Sequence, residues 1–282
     1  MKVLVLGARG MLGQDLVEIL APEYEVIPWD LAEIDITRER ETIEKIKGIR
    51  PQAIINCAAY TDVDACETHR DRALLVNAEG ARHVALASTA IKARLIHLST
   101  DYVFNGAAIL PYKESSPPNP VSVYGQSKLQ GELYIRQIVE DYVIIRTAWL
   151  YGPRGRNFVE AILRQAEAGK EIRVVNDQQG SPTFTGDLGL AIKSLLPVAE
   201  QGIFHVTNSG SCTWFEFSMR ILEEGGYKET KASPISANEL GRPAKRPAYS
   251  ILDLSHYEET TGYKMRSWQD ALKDYFHLRV RS

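Results

Sequence analysis

Lys2-Val-Leu-Val-Leu6-Gly7-Ala-Arg-Gly10-Met-Leu-Gly13 is the stretch whose reading decides the fold. Four aliphatic residues, Val3 to Leu6, closed by a glycine read as a strand. Helical spacing of apolar residues resumes at 12–20, so the glycines lie in a strand-to-helix turn. A turn free of side chains lets backbone N–H groups and a helix N-terminus face a pyrophosphate. The spacing is GxxGxxG rather than GxGxxG, and a tight turn needing glycine for geometry alone has the same composition. The place of the motif, after a strand and opening a helix, is the context a dinucleotide site requires.

Outward from this stretch the alternation continues. Strands are expected at 24–29, 53–56, 94–98 and 142–146. Between them fall a charged helix capped by Thr37 and running to Lys47, a long helix at 71–90 and another from about Tyr124. Strands separated by helices imply βαβ units with right-handed crossovers, and therefore a doubly wound parallel sheet. Beyond Arg146 the pattern loosens into a helix at 158–168, a strand at 172–175, a helix at 187–196 and a strand at 203–206. Thr213-Trp-Phe-Glu216 is a capping-box pattern, 242–247 is a basic proline-stiffened loop, and 268–276 is a terminal helix. The four prolines of 111–120 mark a long ordered loop. The expected organisation is an α/β dinucleotide-binding domain at 1–147, to which segments near 185–210 return, and a smaller α/β substrate lobe over 148–282.

Composition narrows the function. The 282 residues carry 33 Lys plus Arg against 36 Asp plus Glu, a net charge of −3, which is not the basic balance of a sequence-independent nucleic-acid binder. A hydrophobic fraction of 44% with 24% charged residues is that of a globular chain. Cys57, Cys66 and Cys212 form no CxxC pair and the histidines no HxxxH pair, so neither a disulfide framework nor a structural zinc site is expected. No apolar run approaches the ~18 residues of a membrane span, and no signal-peptide pattern opens the chain. A cytoplasmic protein with no membrane or nucleic-acid partner is expected.

The chemistry lies at the strand ends. Asp30 ends the second strand, where an acid accepts hydrogen bonds from an adenosine ribose and favours NAD. Arg9, inside the glycine turn, could pair with a 2′-phosphate and favour NADP, so the two signals conflict. Asp35 and Ile36 could flank the adenine. The small residues of Asn56-Cys-Ala58-Ala59-Tyr60 let a flat cofactor approach the backbone, although tight strand–helix packing would have the same composition. Tyr124 and Lys128 are four apart and share a helix face. A lysine beside a phenol draws its pKa down from ~10, and such a tyrosine can protonate an alkoxide. Ser99-Thr100-Asp101-Tyr102 ends the fourth strand facing the same crevice. His97, on that strand, reads as a satisfied core histidine.

In this order these elements resemble the extended short-chain dehydrogenase/reductase family, whose sheet is of the Rossmann type. The resemblance gives Thr100, Tyr124 and Lys128 the catalytic roles: Thr100 holds the carbonyl oxygen, Tyr124 donates the proton and Lys128 holds the nicotinamide ribose. It assigns NADPH or NADH to Gly7, Arg9, Gly10, Met11, Leu12, Asp30, Asp35, Ile36, Ala58, Ala59, Tyr60, Tyr124 and Lys128. Seven spread motifs are similar to those of the dTDP-4-dehydrorhamnose reductases: Asn56 to Asp64, Ser99 to Phe104 with Asn105-Gly106, Pro118-Asn-Pro120 with Tyr124-Gly125, Arg146 to Gly152, Asn157-Phe158, Gln178 to Thr183, and Arg246 to Ser250 with Leu252-Asp253. That similarity implies reduction of the 4-keto group of a dTDP-sugar. Thr61, Val63, Thr100, Asp101, Tyr102 and Trp149 would surround the sugar, Asn157, Phe158, Gln178 and Gln179 would line the nucleotide side, and Arg246 would face the diphosphate. One departure and one correspondence stand out. Leu31 replaces the basic residue that often follows the acid of the second strand. Members that form a magnesium-bridged homodimer use an acidic side chain at the position of Asp15. Competing readings are a nucleotide-sugar dehydratase or epimerase, disfavoured by Tyr102 where dehydratases commonly carry an acid, and a regulatory subunit like that of methionine adenosyltransferase.

Overall fold

The opening strand lies in the interior of a six-stranded parallel sheet. The computed structural model describes residues 1–279. The first half of the chain runs β1 (Lys2–Leu6), α1 (Met11–Leu20), β2 (Glu25–Trp29), α2 (Glu39–Ile49), β3 (Ala53–Asn56), α3 (Val63–Thr68), α4 (Arg70–Leu74), a π-type turn (Leu75–Glu79), α5 (Gly80–Ile91) and β4 (Arg94–Thr100). A 3₁₀ turn (Asp101–Val103), α6 (Val123–Ile138) and β5 (Tyr142–Thr147) follow. The remainder runs β6 (Leu150–Tyr151), α7 (Phe158–Glu167), β7 (Ile172–Val175), β8 (Gln179–Gly180), β9 (Thr183–Phe184), α8 (Thr185–Leu195), β10 (Gly202–His205), β11 (Cys212–Thr213), α9 (Trp214–Glu224), β12 (Ala232–Ile235), α10 (Ala237–Leu240), α11 (Ser255–Thr261) and α12 (Trp268–Arg279).

The sheet order is β10-β5-β4-β3-β1-β2, so the strand order reverses between β1 and β3. In sheets of this kind ligands bind outside the carboxyl ends of the strands at such a reversal. Val3 and Val5 of β1 pack with Leu16, Ile55, Leu188 and Phe204 on one face. Leu4 and Leu6 pack with Ile54, Val84 and Ile144 on the other. An unbroken aliphatic run is the pattern that burial on both faces demands. The second core gathers Tyr151, Leu163, Phe217, Ile221, Trp268 and Tyr275 around α7, α9 and α12. No helix among the described residues is long and apolar enough to cross a membrane.

Three local expectations are corrected. Thr37 does not cap α2: Asp35 takes both its N–H at 3.0 Å and its hydroxyl at 2.6 Å, and the N-cap position falls to Arg38. The helix expected at 71–90 is interrupted by the π-type turn, from which Asn77 reaches the Tyr60 N–H. The fourth strand runs on to Thr100 rather than ending at residue 98. The proline-rich 111–120 loop is anchored where the Tyr112 N–H donates to the Ile251 carbonyl at 2.8 Å and the Tyr112 ring stacks on Phe104.

Candidate active site

The turn after β1 has no room for side chains. Gly7 has φ +74°, and a Cβ there would lie 2.8 Å from the Ala58 nitrogen. A Cβ on Gly13 would lie 2.2 Å from the Gly7 carbonyl oxygen. Gly10 caps α1 without a side-chain hydrogen bond, so the first-turn N–H groups from Met11 onward are left open to an anion. Leu12 sends its side chain into the core and can offer only its backbone to the turn. This cradle fits a dinucleotide pyrophosphate.

Asp30 sits beside the turn, its carboxylate accepting from the Arg9 N–H and the Leu31 N–H, each at 2.8 Å. The Arg9 guanidinium meets Glu33 at 2.7 Å on the exposed rim. Glu33 also accepts from the Asp30 N–H at 2.9 Å, so a residue not singled out in the sequence organises both cofactor-selecting candidates. Ile36 is buried beneath Gly80, where a Cβ would meet it at 2.8 Å, and Asp35 is occupied with Thr37. On the other side of the turn Asn77 receives the Tyr60 N–H at 2.7 Å, and its amide donates to the Tyr60 carbonyl and the Ser127 hydroxyl, each at 3.0 Å. It ties the Ala58–Ala59–Tyr60 segment to α6. The sequence reads there as an unbroken helix and does not mark it; the signal is structural, a π-type turn, a feature frequent at functional sites.

Thr100 ends β4 buried. Its hydroxyl donates to Asp101 Oδ1 at 3.0 Å and accepts the Tyr102 N–H at 3.1 Å. Ser122 caps α6 through the Gly125 N–H, placing Tyr124 in the first turn, its ring 5.7 Å from Tyr102 and edge-on to it. Gly125 is required by close approach: a Cβ would stand 2.1 Å from the Tyr102 carbonyl oxygen. One turn on, the buried Lys128 Nζ donates to the Leu98 carbonyl at 2.5 Å and lies 3.4 Å from His97 Nε2. Burial draws Lys128 down to about 8. Burial, then the neighbouring Asp101, pushes the Tyr124 phenol above its ordinary range, with the Thr100 hydroxyl acting the other way. The expected depression of the phenol by Lys128 is absent in this arrangement because the amine is turned toward β4. Asp101 itself is pushed up to about 7 by burial.

The expected sugar and nucleotide contacts are built differently. Trp149 has φ +48° and stacks on Trp214 with centroids 3.5 Å apart and planes at 7°. Its indole covers Gly180, where a Cβ would lie 2.5 Å away. Phe158 leans on Trp214 at 4.6 Å and stacks on Phe217. Asn157 caps α7 through the Glu160 N–H at 3.1 Å, donates to the Gly152 carbonyl at 2.8 Å and touches Met11 of the cofactor turn. Gln178 is buried, whereas Gln179 is exposed and held by its backbone to Ala248 and Ser250. Arg246 sets both guanidinium arms on Asp64, at 3.0 and 2.9 Å. Thr61 is exposed just before α3, which Val63 opens with Asp62 as its cap. Asp15 is buried, its Oδ1 engaged by Arg154 at 3.2 Å and its Oδ2 without a hydrogen-bond partner among the described residues.

A doubly wound sheet with a side-chain-free phosphate turn, and Thr100, Tyr124 and Lys128 at its edge, defines an NAD(P)H-dependent reductase of the extended short-chain class. The comparisons with known proteins are more specific. The family model described as RmlD substrate binding domain matches residues 1–280. Spore coat polysaccharide biosynthesis protein SpsK of Bacillus subtilis (strain 168) is 45% identical, covering 99% of this chain and 98% of that protein. The dTDP-4-dehydrorhamnose reductase of Streptomyces griseus is 39% identical, covering 97% of this chain and 92% of that protein. The crystal structure of dTDP-4-dehydrorhamnose reductase from Bacillus anthracis str. Ames in complex with NADP matches with a TM-score of 0.96 and 41% identity, covering 98% of this chain and 99% of that one. The chain belongs to this family, that of the dTDP-4-dehydrorhamnose reductases.

Proposed function

We propose that the protein reduces the 4-keto group of dTDP-4-dehydro-L-rhamnose to give dTDP-L-rhamnose, using NADPH or NADH. The observation that carries this reading is the placing of Thr100 at the carboxyl end of β4 and of Tyr124 and Lys128 in the amino-terminal turns of α6, beside the Gly7–Gly13 cradle and with Tyr102 where elimination chemistry would want an acid. Residues 1–147 would bind the dinucleotide and 148–282 mainly the nucleotide sugar.

The reduced nicotinamide supplies a hydride to the carbonyl carbon. Negative charge then grows on the sugar oxygen, which the Thr100 hydroxyl stabilises once its proton turns from Asp101. Tyr124 gives that oxygen its phenolic proton; with its pKa held high, the phenol is fully protonated near neutrality and available as an acid. Lys128, swung forward along the face it shares with Tyr124, stabilises the phenolate left behind and reaches the nicotinamide ribose. Trp149, Thr61, Val63 and Tyr102 surround the sugar, and Asn157, Phe158, Gln178 and Gln179 line the nucleotide side. Arg246 offers a fork suited to a diphosphate, in exchange with Asp64. A cytoplasmic location and a homodimer belong to the same proposal, and sedimentation velocity separates dimer from monomer. The deciding assay mixes the protein with the 4-keto-rhamnose nucleotide and each reduced cofactor. Cofactor oxidation matched by rhamnose nucleotide formation is expected. A protein that binds cofactor yet leaves this keto sugar untouched overturns the proposal.

A further inference from the structure

Behind the catalytic lysine lies a buried pair that the reaction as described does not use. Asn56 and His97 are register partners across β3 and β4, and each is only 1% exposed. We propose that His97, held in one tautomer by Asn56, is a positioning residue that provides a resting place for the uncharged Lys128 amine and disfavours the ammonium there.

The argument follows the protons. Asn56 Oδ1 accepts the Ala58 N–H at 3.1 Å, and a backbone N–H can only donate, so the orientation of the Asn56 amide is fixed. Its Nδ2 group therefore faces His97 Nδ1, at 3.2 Å, and donates to it. With Nδ1 accepting, a neutral ring carries its proton on Nε2. That N–H points at Lys128 Nζ, 3.4 Å away. An ammonium has no lone pair to receive it, whereas a neutral amine accepts it and still donates to the Leu98 carbonyl. Burial, then the Lys128 charge, holds His97 well below its ordinary value, so the ring stays uncharged. The other ionisable groups around the amine do not reverse this. Glu132, one turn further on α6, is engaged by Arg146 at 3.0 and 2.6 Å and by Ser99. Burial pushes the Cys57 thiol up to about 12, leaving it neutral. The same amide that fixes the tautomer also receives Ala58 of the cofactor cradle, so cradle and lysine share one hydrogen-bond chain. The catalytic consequence rests on the reductase reading; the tautomer does not.

Two measurements test the proposal. Long-range ¹H–¹⁵N spectra of the cofactor-free protein should find His97 as the neutral Nε2–H tautomer from about pH 5 to 9. Its Nε2 resonance should follow the titration of Lys128 and stop doing so in Lys128→Met. An Nδ1–H tautomer, or an imidazolium forming near the ordinary histidine value, overturns the proposal whatever substrate the enzyme takes. In Asn56→Asp the carboxylate accepts from Nδ1–H, so the ring turns its Nε2 lone pair to the lysine. The alkaline limb of kcat should then move up by about one pH unit. Should that variant not fold, His97→Gln, whose side-chain carbonyl can receive the ammonium, is expected to move the limb in the same direction. A kcat lowered equally at every pH with the limb unmoved marks a purely structural role and refutes the positioning one.

Discussion

The proposed cofactor edge and the proposed sugar edge of the site are made by different physics. At the cofactor edge the determinants are backbone: Gly7, Gly10 and Gly13 permit contacts that a Cβ would forbid, and all lie within one strand-turn-helix unit. At the proposed sugar edge the determinants are side chains brought from far apart in the chain. Trp149 rests on Trp214, and Arg246 grips Asp64 across 182 positions. Local backbone chemistry is written in short motifs, whereas long-range stacking and ion pairing are not. Mutations should therefore separate the two edges, one through catalysis and cofactor binding and the other through stability coupled to substrate use.

The largest effect is expected where the edges meet. Tyr124→Phe removes the proposed proton donor while leaving the ring in its place beside Tyr102. Loss of a positioned general acid lowers turnover by about 10²–10⁴-fold, and cofactor affinity, measured by fluorescence titration, should stay within a factor of about three, below 1 kcal/mol. Near-normal turnover would mean that the acid lies elsewhere, and the shared edge would lose its meaning.

That contrast also explains what the sequence revealed. The aliphatic run of β1 was legible as a strand from four adjacent residues, and its place inside the sheet buries it on both faces. The Thr213–Glu216 capping box was legible because both partners lie within one turn. Thr37 failed as a cap since Asp35, two residues back, competes for the same hydroxyl and amide. Glu33, Asn77 and Trp214 were missed for a common reason. Each acts on a residue 17 or more positions away, or on a rim whose shape only the folded chain defines. His97 was read as a core histidine, and it is buried; what the strand pattern could not supply was Lys128 at its second nitrogen.

The second prediction probes the sugar edge. Trp149 taken alone would be a ligand contact whose loss leaves stability within about 1 kcal/mol. Its stack on Trp214 raises that expectation: Trp149→Ala should lower unfolding free energy by about 1–3 kcal/mol, less than the ~3–5 of a fully buried tryptophan. It should also raise KM for the sugar nucleotide while leaving KM for the cofactor unchanged. A double-mutant cycle with Trp214→Ala should return a coupling of about 0.5–1.5 kcal/mol. No coupling would mean that the two indoles act independently and that the sugar edge is not built as a stacked unit.

A third expectation concerns pH. In the proposed reaction Lys128 must carry its proton to support the phenolate, and burial places its titration at about 8. Activity is therefore fully present below that value and falls as pH rises through it, approaching tenfold per pH unit above it. Lys128→Arg, which cannot deprotonate in this range, should lose the alkaline limb while lowering kcat. An unchanged limb would assign it to another group.

The smallest effect sharpens the cofactor edge. Arg9 is the only cationic side chain within the glycine turn, and Glu33 holds its guanidinium at 2.7 Å on the exposed rim. A 2′-phosphate arriving there competes with Glu33 for Arg9 and meets the carboxylate's repulsion; the hydroxyl of NADH does neither. Exposed ion pairs contribute about 0.2–1 kcal/mol, equivalent to roughly 1.4- to 5-fold in affinity. Glu33→Gln should therefore improve NADPH binding by a factor in that range and leave NADH nearly unchanged. Arg9→Ala should weaken NADPH more than NADH, and combining the two substitutions should abolish the Glu33 effect, since the carboxylate would have no guanidinium left to withhold. Isothermal titration of each cofactor against the four proteins decides it. Equal losses for both cofactors on Arg9→Ala would show that the guanidinium does not read the phosphate, and cofactor choice would then rest with Asp30, whose carboxylate already holds the backbone N–H groups of Arg9 and Leu31.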